Sequence, residues 1–122
     1  MDLNLKGKNA LVCGGSSGIG KASAIELSRL GANVTLLARN PASLADALTA
    51  LNHEPGQEHD FIIADMTNHE DLHQKIFGLT TQKKIHILVN NTGGPPAGSI
   101  LDADIVAFKQ AFEQHLLAYH LI

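Results

Sequence analysis

A single cysteine, Cys13, leaves no possibility of an internal disulfide, and with it goes the class of small secreted domains held by cross-links. No apolar stretch is long enough to cross a bilayer, and Met1-Asp2-Leu3-Asn4-Leu5-Lys6 lacks the apolar core of a secretory leader. The expectation is a cytoplasmic protein with no membrane partner. Basic residues are also scarce: nine Lys and Arg face twelve Asp and Glu, for a formal net charge of −3. No basic run exceeds Lys83-Lys84, so a nucleic-acid partner is not expected. Internal repeats and low-complexity segments are missing too. What remains is an ordinary globular composition, 44% hydrophobic and 17% charged, in 122 residues, enough for one small domain with a modest core.

The most informative stretch is Cys13-Gly14-Gly15-Ser16-Ser17-Gly18-Ile19-Gly20. The apolar run before it, Asn9–Cys13, predicts a buried strand, and the segment after it predicts a helix through Leu30 that stops at Gly31. A strand, a glycine turn and a helix in succession aim free backbone N–H groups and the positive end of a helix dipole at one point. That point favours a phosphate or diphosphate. Gly14 suits the tight turn, Gly18 a close backbone approach and Gly20 the packing of helix on strand.

The rest of the chain keeps the alternation. Asn33–Ala38 predicts a second strand. Asn40-Pro41 predicts an N-cap with proline at the first helical position, and Leu44, Leu48 and Leu51 fall on one face of the helix. Pro55-Gly56 breaks that element. Phe61–Ala64 predicts a third strand closing at Asp65, and Thr67 with Glu70 predicts a capping box for a helix buried along Leu72, Ile76 and Leu79. Ile85–Val89 predicts a fourth strand running into Asn90-Asn91-Thr92-Gly93. A last helix from near Asp102 places Phe108, Phe112, His115 and Tyr119 on one face. The fold class expected is α/β, a Rossmann-type doubly wound parallel sheet, incomplete, with about four strands and flanking helices.

On Gly14, Gly18 and Gly20 together with Asn90-Asn91-Thr92-Gly93, the sequence resembles the N-terminal half of a short-chain dehydrogenase/reductase. The resemblance covers essentially the whole chain and implies that residues 1–122 are the N-terminal part of a single NAD(P)-binding Rossmann domain. It implies an oxidoreductase that moves a hydride between nicotinamide and a carbonyl or alcohol carbon of a small molecule. A 3-oxoacyl thioester or similar ketone is the substrate class to expect, and a homodimer or homotetramer the assembly of the full-length protein. Gly14, Ser16, Ser17, Gly18, Ile19 and Gly20 are then the phosphate cradle.

Cofactor choice follows from the tip of the second strand. An acid there hydrogen-bonds the ribose 2′-OH of NAD, whereas arginine accommodates the 2′-phosphate of NADP. This chain has Ala38 and then Arg39, which favours NADP(H) over NAD(H). The alternative for Arg39 is a solvated loop charge. By resemblance, Asp65 contacts the adenine amino group with Met66 beside it, though Asp65 is equally a turn residue by sequence. Asn90 contacts the ribose, and Thr92 and Gly93 join the cofactor-binding set. Pro95-Pro96 makes a stiff loop that either shapes the nicotinamide pocket or is only a rigid turn. Cys13 stands where the family has threonine and is expected to be structural.

The Tyr-x-x-x-Lys pair that the family uses as general acid/base is not in this sequence, and Tyr119, the one tyrosine, is not that residue. Counting without gaps from Asn90, His115 falls at the family's catalytic asparagine. Its alternative is a helix-face histidine satisfied locally. The last helix reaches Ile122 still apolar and without a stop, so the chain is expected to be a fragment cut after its fourth helix, inert alone toward carbonyls and prone to self-association. A rival reading is a non-catalytic NADP(H)-binding or partner-binding module. His69-Glu70-Asp71-Leu72-His73 matches the zinc-protease motif literally, but Glu70 has a capping role, no third ligand follows in sequence, and His86 is expected inside a buried strand; no metal site is expected.

Overall fold

The computed structural model describes residues 1–94 and 97–122. Four strands, β1 (Asn9–Cys13), β2 (Asn33–Ala38), β3 (Asp60–Ile63) and β4 (Ile87–Val89), form one parallel sheet in the order β3-β2-β1-β4. Between them run α1 (Gly18–Arg29), α2 (Pro41–Thr49) and α3 (His69–Gln82). After β4 come a 3₁₀ turn (Ile100–Asp102), α4 (Ile105–Phe112), a π-helical turn (Glu113–Leu117) and α5 (Ala118–Leu121).

Parallel strands bury both faces, and the residues of β1 alternate between two cores. Leu11 and Cys13 join Leu37, Leu72, Ile76, Leu79 and Ala118 on the face covered by α3 and α5. Val12 joins Ala24, Leu36, Leu44, Ala47 and Leu51 on the face covered by α1 and α2. Leu11, Leu36, Leu37, Leu44 and Leu72 are fully buried, each worth about 1.5–3 kcal/mol against exposure. The stripe expected on α3 is the buried one; on α2, Ala47 is buried where Leu48 is only half so.

Local chemistry accounts for the helix ends. Gly31, at φ +98°, closes α1 in the left-handed conformation, and the Asn40 side chain accepts from the Ser43 N–H at 3.1 Å to start α2 with Pro41 at its first position. The capping box expected from Thr67 and Glu70 is replaced by a cap one residue later. Asn68 accepts from the Asp71 N–H at 3.2 Å, because the Thr67 hydroxyl is spent on Asp65, 2.7 Å away.

β4 is shorter than expected. His86 lies before it and is exposed, not buried in a strand, its Nδ1 accepting from the Asn9 N–H at 3.0 Å. The last helix also departs from the expectation. It is capped by Asp104 at the Val106 N–H, and α4 buries none of its residues, so Phe108 and Phe112 stay exposed, whereas Ala118 beyond the π turn is buried. Pro95-Pro96 lies outside the described residues. No helix among the described residues is long and apolar enough to cross a membrane.

Candidate functional site

At the C-terminal ends of β1, β2 and β3, and beside the segment leaving β4, a cleft of about 510 Å³ opens. It sits where the order of the strands reverses about β1, the place where open α/β sheets bind ligands. Its walls bring together Gly14, Ser16, Ser17, Gly18, Ile19, Arg39, Asp65, Met66, Thr92 and Gly93 from the sequence-predicted set. Leu37, Ala38, Asn40, Ala64, Asn91 and Gln114 complete it.

The floor is the turn from β1 into α1. Gly14, at φ +61°, is a left-handed position backed closely by Asn91: a Cβ there would meet the Asn91 side-chain nitrogen and carbonyl oxygen at 2.6 Å. The Asn91 amide in turn reaches the Cys13 and Gly14 carbonyls at 3.5 Å. Gly20 is required because a Cβ would collide with the Gly14 carbonyl, so its role is to let the turn fold back on the helix start. Gly18, at φ +54°, differs: nothing lies within 4 Å of where its Cβ would be.

α1 begins without a side-chain cap. Ser17 makes no capping hydrogen bond and the first turn carries no acid, whereas Asn40, Asn68 and Asp104 each cap their helices. The first amides of α1 therefore face the cleft with their donor capacity and the helix dipole uncompensated, the electrostatics of an anion site. The cleft fits a diphosphate on two counts: the open space over Gly18 and these unspent donors. Ile19 is 78% exposed at its rim.

At the far wall, Arg39 follows β2, exposed and without an ion pair among the described residues. Asp65 follows β3. Its Oδ1 accepts from the Thr67 N–H at 2.9 Å and from the Thr67 hydroxyl, which holds its pKa below the ordinary carboxylate value, with a smaller contribution from the Arg39 charge. One carboxylate oxygen is thus committed to the turn. Met66 is buried beneath.

The segment leaving β4 places the two asparagines differently. Asn90 is exposed and does not line the cleft, while Asn91, on the same side as Val89, does. The sequence offered this signal in the two-residue alternation of a strand. His115 sits in the π turn with Nδ1 2.9 Å from the Thr92 hydroxyl, and Tyr119 reaches the same hydroxyl at 3.4 Å. Gln114, which sequence reasoning missed, lines the cleft and donates to the Gly93 carbonyl at 3.4 Å. Its signal is hidden because the π turn has no sequence signature of its own. Cys13 is fully buried beneath the turn, its thiol pushed up to about 12 by desolvation, so it is an inert packing group.

The zinc-protease motif does not assemble. His69 contacts the Glu113 carbonyl at 3.2 Å, His73 is exposed, and no three metal-ligating side chains converge among the described residues.

Comparison with known proteins bears on the family and the fold. The sequence model for short chain dehydrogenase matches residues 8–122. L-Rhamnose 1-dehydrogenase (NADP(+)) of Thermoplasma acidophilum is 29% identical over 121 residues, 98% of this chain and 48% of that protein. Very-long-chain 3-oxoacyl-CoA reductase of Anas platyrhynchos is 36% identical over 84 residues, 69% of this chain and 27% of that one. L-Sorbose reductase from Gluconobacter frateurii, solved in complex with NADPH and L-sorbose, matches with a TM-score of 0.87 at 28% identity, covering 99% of this chain and 46% of that chain. The chain spans less than half the length of these relatives. With the family model matched from residue 8 to residue 122 and the fold shared with a solved reductase, the chain belongs to the short-chain dehydrogenase family.

Proposed function

We propose that this chain forms the NADP(H)-binding half of an oxidoreductase that acts on a carbonyl or alcohol substrate. The observation that carries the reading is the meeting, in one cleft, of an uncapped helix start, open space over Gly18 and, at the tip of β2, an arginine that has no ion pair among the described residues. The amides of Ser16, Ser17, Gly18 and Ile19 hold the diphosphate, Gly14 and Gly20 keep the turn tight enough to present them, and Arg39 receives the 2′-phosphate. Asp65 and Met66 border the adenine, with Asp65 offering its uncommitted oxygen to the amino group. Asn90 is assigned to the ribose by family resemblance, and Thr92 and Gly93 border the path toward the nicotinamide.

The nicotinamide ring, when bound, supplies or accepts the hydride. The residues present bind and orient it; a general acid of the Tyr-x-x-x-Lys type does not occur in these 122 residues. Among substrates, a 3-oxoacyl thioester or similar ketone is favoured by the resemblance to a 3-oxoacyl-CoA reductase. A homo-oligomer in the cytoplasm remains part of the proposal.

The test is a fluorescence titration of the purified protein with NADPH and with NADH. The reading requires saturable NADPH binding at least about tenfold tighter than NADH, the yield of one charge-assisted contact to the extra phosphate. Equal affinities would remove Arg39 from the argument, and absence of binding to either would remove the cleft.

A further inference from the structure

Two side chains of the last helical segment meet at one hydroxyl of the β4 exit, and a third bonds the next residue. The Thr92 Oγ1 lies 2.9 Å from His115 Nδ1 and 3.4 Å from the Tyr119 hydroxyl, and the neighbouring Gly93 carbonyl accepts from Gln114. Two successive residues of the helix, Gln114 and His115, therefore hold two successive residues of the cleft wall. They do so from within the π turn Glu113–Leu117, a wide turn of the kind concentrated at functional sites.

The imidazole itself is an expensive way to fill this position. The Tyr119 hydroxyl donates to Thr92 Oγ1, and in either ring tautomer it is His115 Nδ1 that is engaged with the threonine hydroxyl, which leaves Nε2 to find another partner. Nε2 is buried and has no partner among the described residues. A buried unsatisfied nitrogen costs more than an apolar side chain of similar size, so helix packing alone does not account for a histidine here. What the histidine adds is the grip on Thr92.

Resting on the nucleotide-binding reading above, we infer that His115 is a positioning residue: through the Thr92 hydroxyl it fixes the Asn91–Gly93 wall and so sets the shape of the cleft. Asn91 backs the Gly14 turn from this wall, which links the helix to the phosphate floor through Thr92. His115 acts without touching nucleotide.

Four variants of the protein decide this: Thr92→Val, which keeps shape and removes the hydroxyl, Thr92→Ser, His115→Leu, and the Thr92→Val/His115→Leu double. Expected are a rise of about fivefold in the NADPH Kd for each of Thr92→Val and His115→Leu, the loss of one hydrogen bond, with the double no worse than either single and Thr92→Ser within about twofold of the unchanged protein. Without nucleotide, amide exchange at Asn91, Thr92 and Gly93 speeds up in Thr92→Val and His115→Leu and stays unchanged in β2. Independent, multiplying effects, or exchange at the wall unmoved by both substitutions, would overturn the inference. If the unchanged protein binds no NADPH, the functional reading fails, and the exchange measurement still decides whether His115 holds the wall. Should Thr92→Val fail to fold, exchange in His115→Leu against Thr92→Ser carries the same decision.

Discussion

Gly14→Ala and Gly18→Ala introduce the same methyl group at two left-handed positions four residues apart, at φ +61° and φ +54°. The conformational penalty is common to both, roughly 1–2 kcal/mol for a side-chain-bearing residue in that region. Their surroundings differ. At Gly14 the new Cβ would stand 2.6 Å from both the side-chain nitrogen and the carbonyl oxygen of Asn91, and backbone cannot swing aside as a flexible side chain can. Forcing the turn away from β4 adds about 1–3 kcal/mol. At Gly18 the methyl enters open space and nothing is added. Gly14→Ala should therefore lose about 2–5 kcal/mol, a large part of the 5–15 kcal/mol typical of a domain, and Gly18→Ala only about 1–2. Urea unfolding followed by far-ultraviolet circular dichroism separates them, provided the slope with denaturant is unchanged. A second readout is independent of stability: the Gly18→Ala methyl occupies the space assigned to the diphosphate, so that variant should fold and yet lose NADPH affinity. Equal stability losses at the two positions would refute the close-approach argument. Undiminished NADPH binding by Gly18→Ala would refute the assignment of the open space.

Three further outcomes follow from the same geometry. His59 accepts from the Val34 N–H at 3.0 Å through Nδ1 while Nε2 meets the Asn52 carbonyl at 2.8 Å, and burial holds its pKa below the ordinary 6.5. The unfolded chain thus binds this proton more readily, so the stability contributed by neutral His59 is whole above about pH 6.5 and is lost as pH falls through its depressed value. The Tm should fall on acidification from about pH 7 to pH 5, and less steeply in His59→Gln; identical slopes would dismiss the histidine as the cause. Cys13, with its thiol pushed up to about 12, should resist iodoacetamide at neutral pH in the folded protein and react once urea exposes it. Rapid labelling of the native state would show that the turn opens locally. Asn68→Ala should cost about 1 kcal/mol by removing the α3 cap; a larger loss from Glu70→Ala would restore the capping box expected from sequence.

The elements most legible in the sequence were those set by local rules. β1 and β2 have their predicted limits because apolar runs bounded by turn residues leave few alternatives, and α2 starts at Pro41 because Asn40 and proline agree. The glycine turn after β1 was legible for the same reason: glycine is the residue that tolerates the backbone conformations found at 14 and 18. Where two local hydrogen bonds compete, sequence pattern was insufficient. Thr67 can cap a helix or bond Asp65, and in the structure it bonds Asp65, two residues away. The choice of Asn91 over Asn90 at the cleft depends on the phase of a strand three residues long, and Gln114 enters only through a π turn. Gly20 was assigned to packing of helix on strand, and the contact that demands it is the Gly14 carbonyl just past the end of β1.

The most direct measurement of the central claim is a crystal of the protein soaked with NADP(H). The account predicts the diphosphate on the amides from Ser16 to Ile19, with the 2′-phosphate within ion-pair distance of the Arg39 guanidinium. A nucleotide bound elsewhere, or one whose 2′-phosphate lies away from Arg39 on the far side of the sheet, would contradict it.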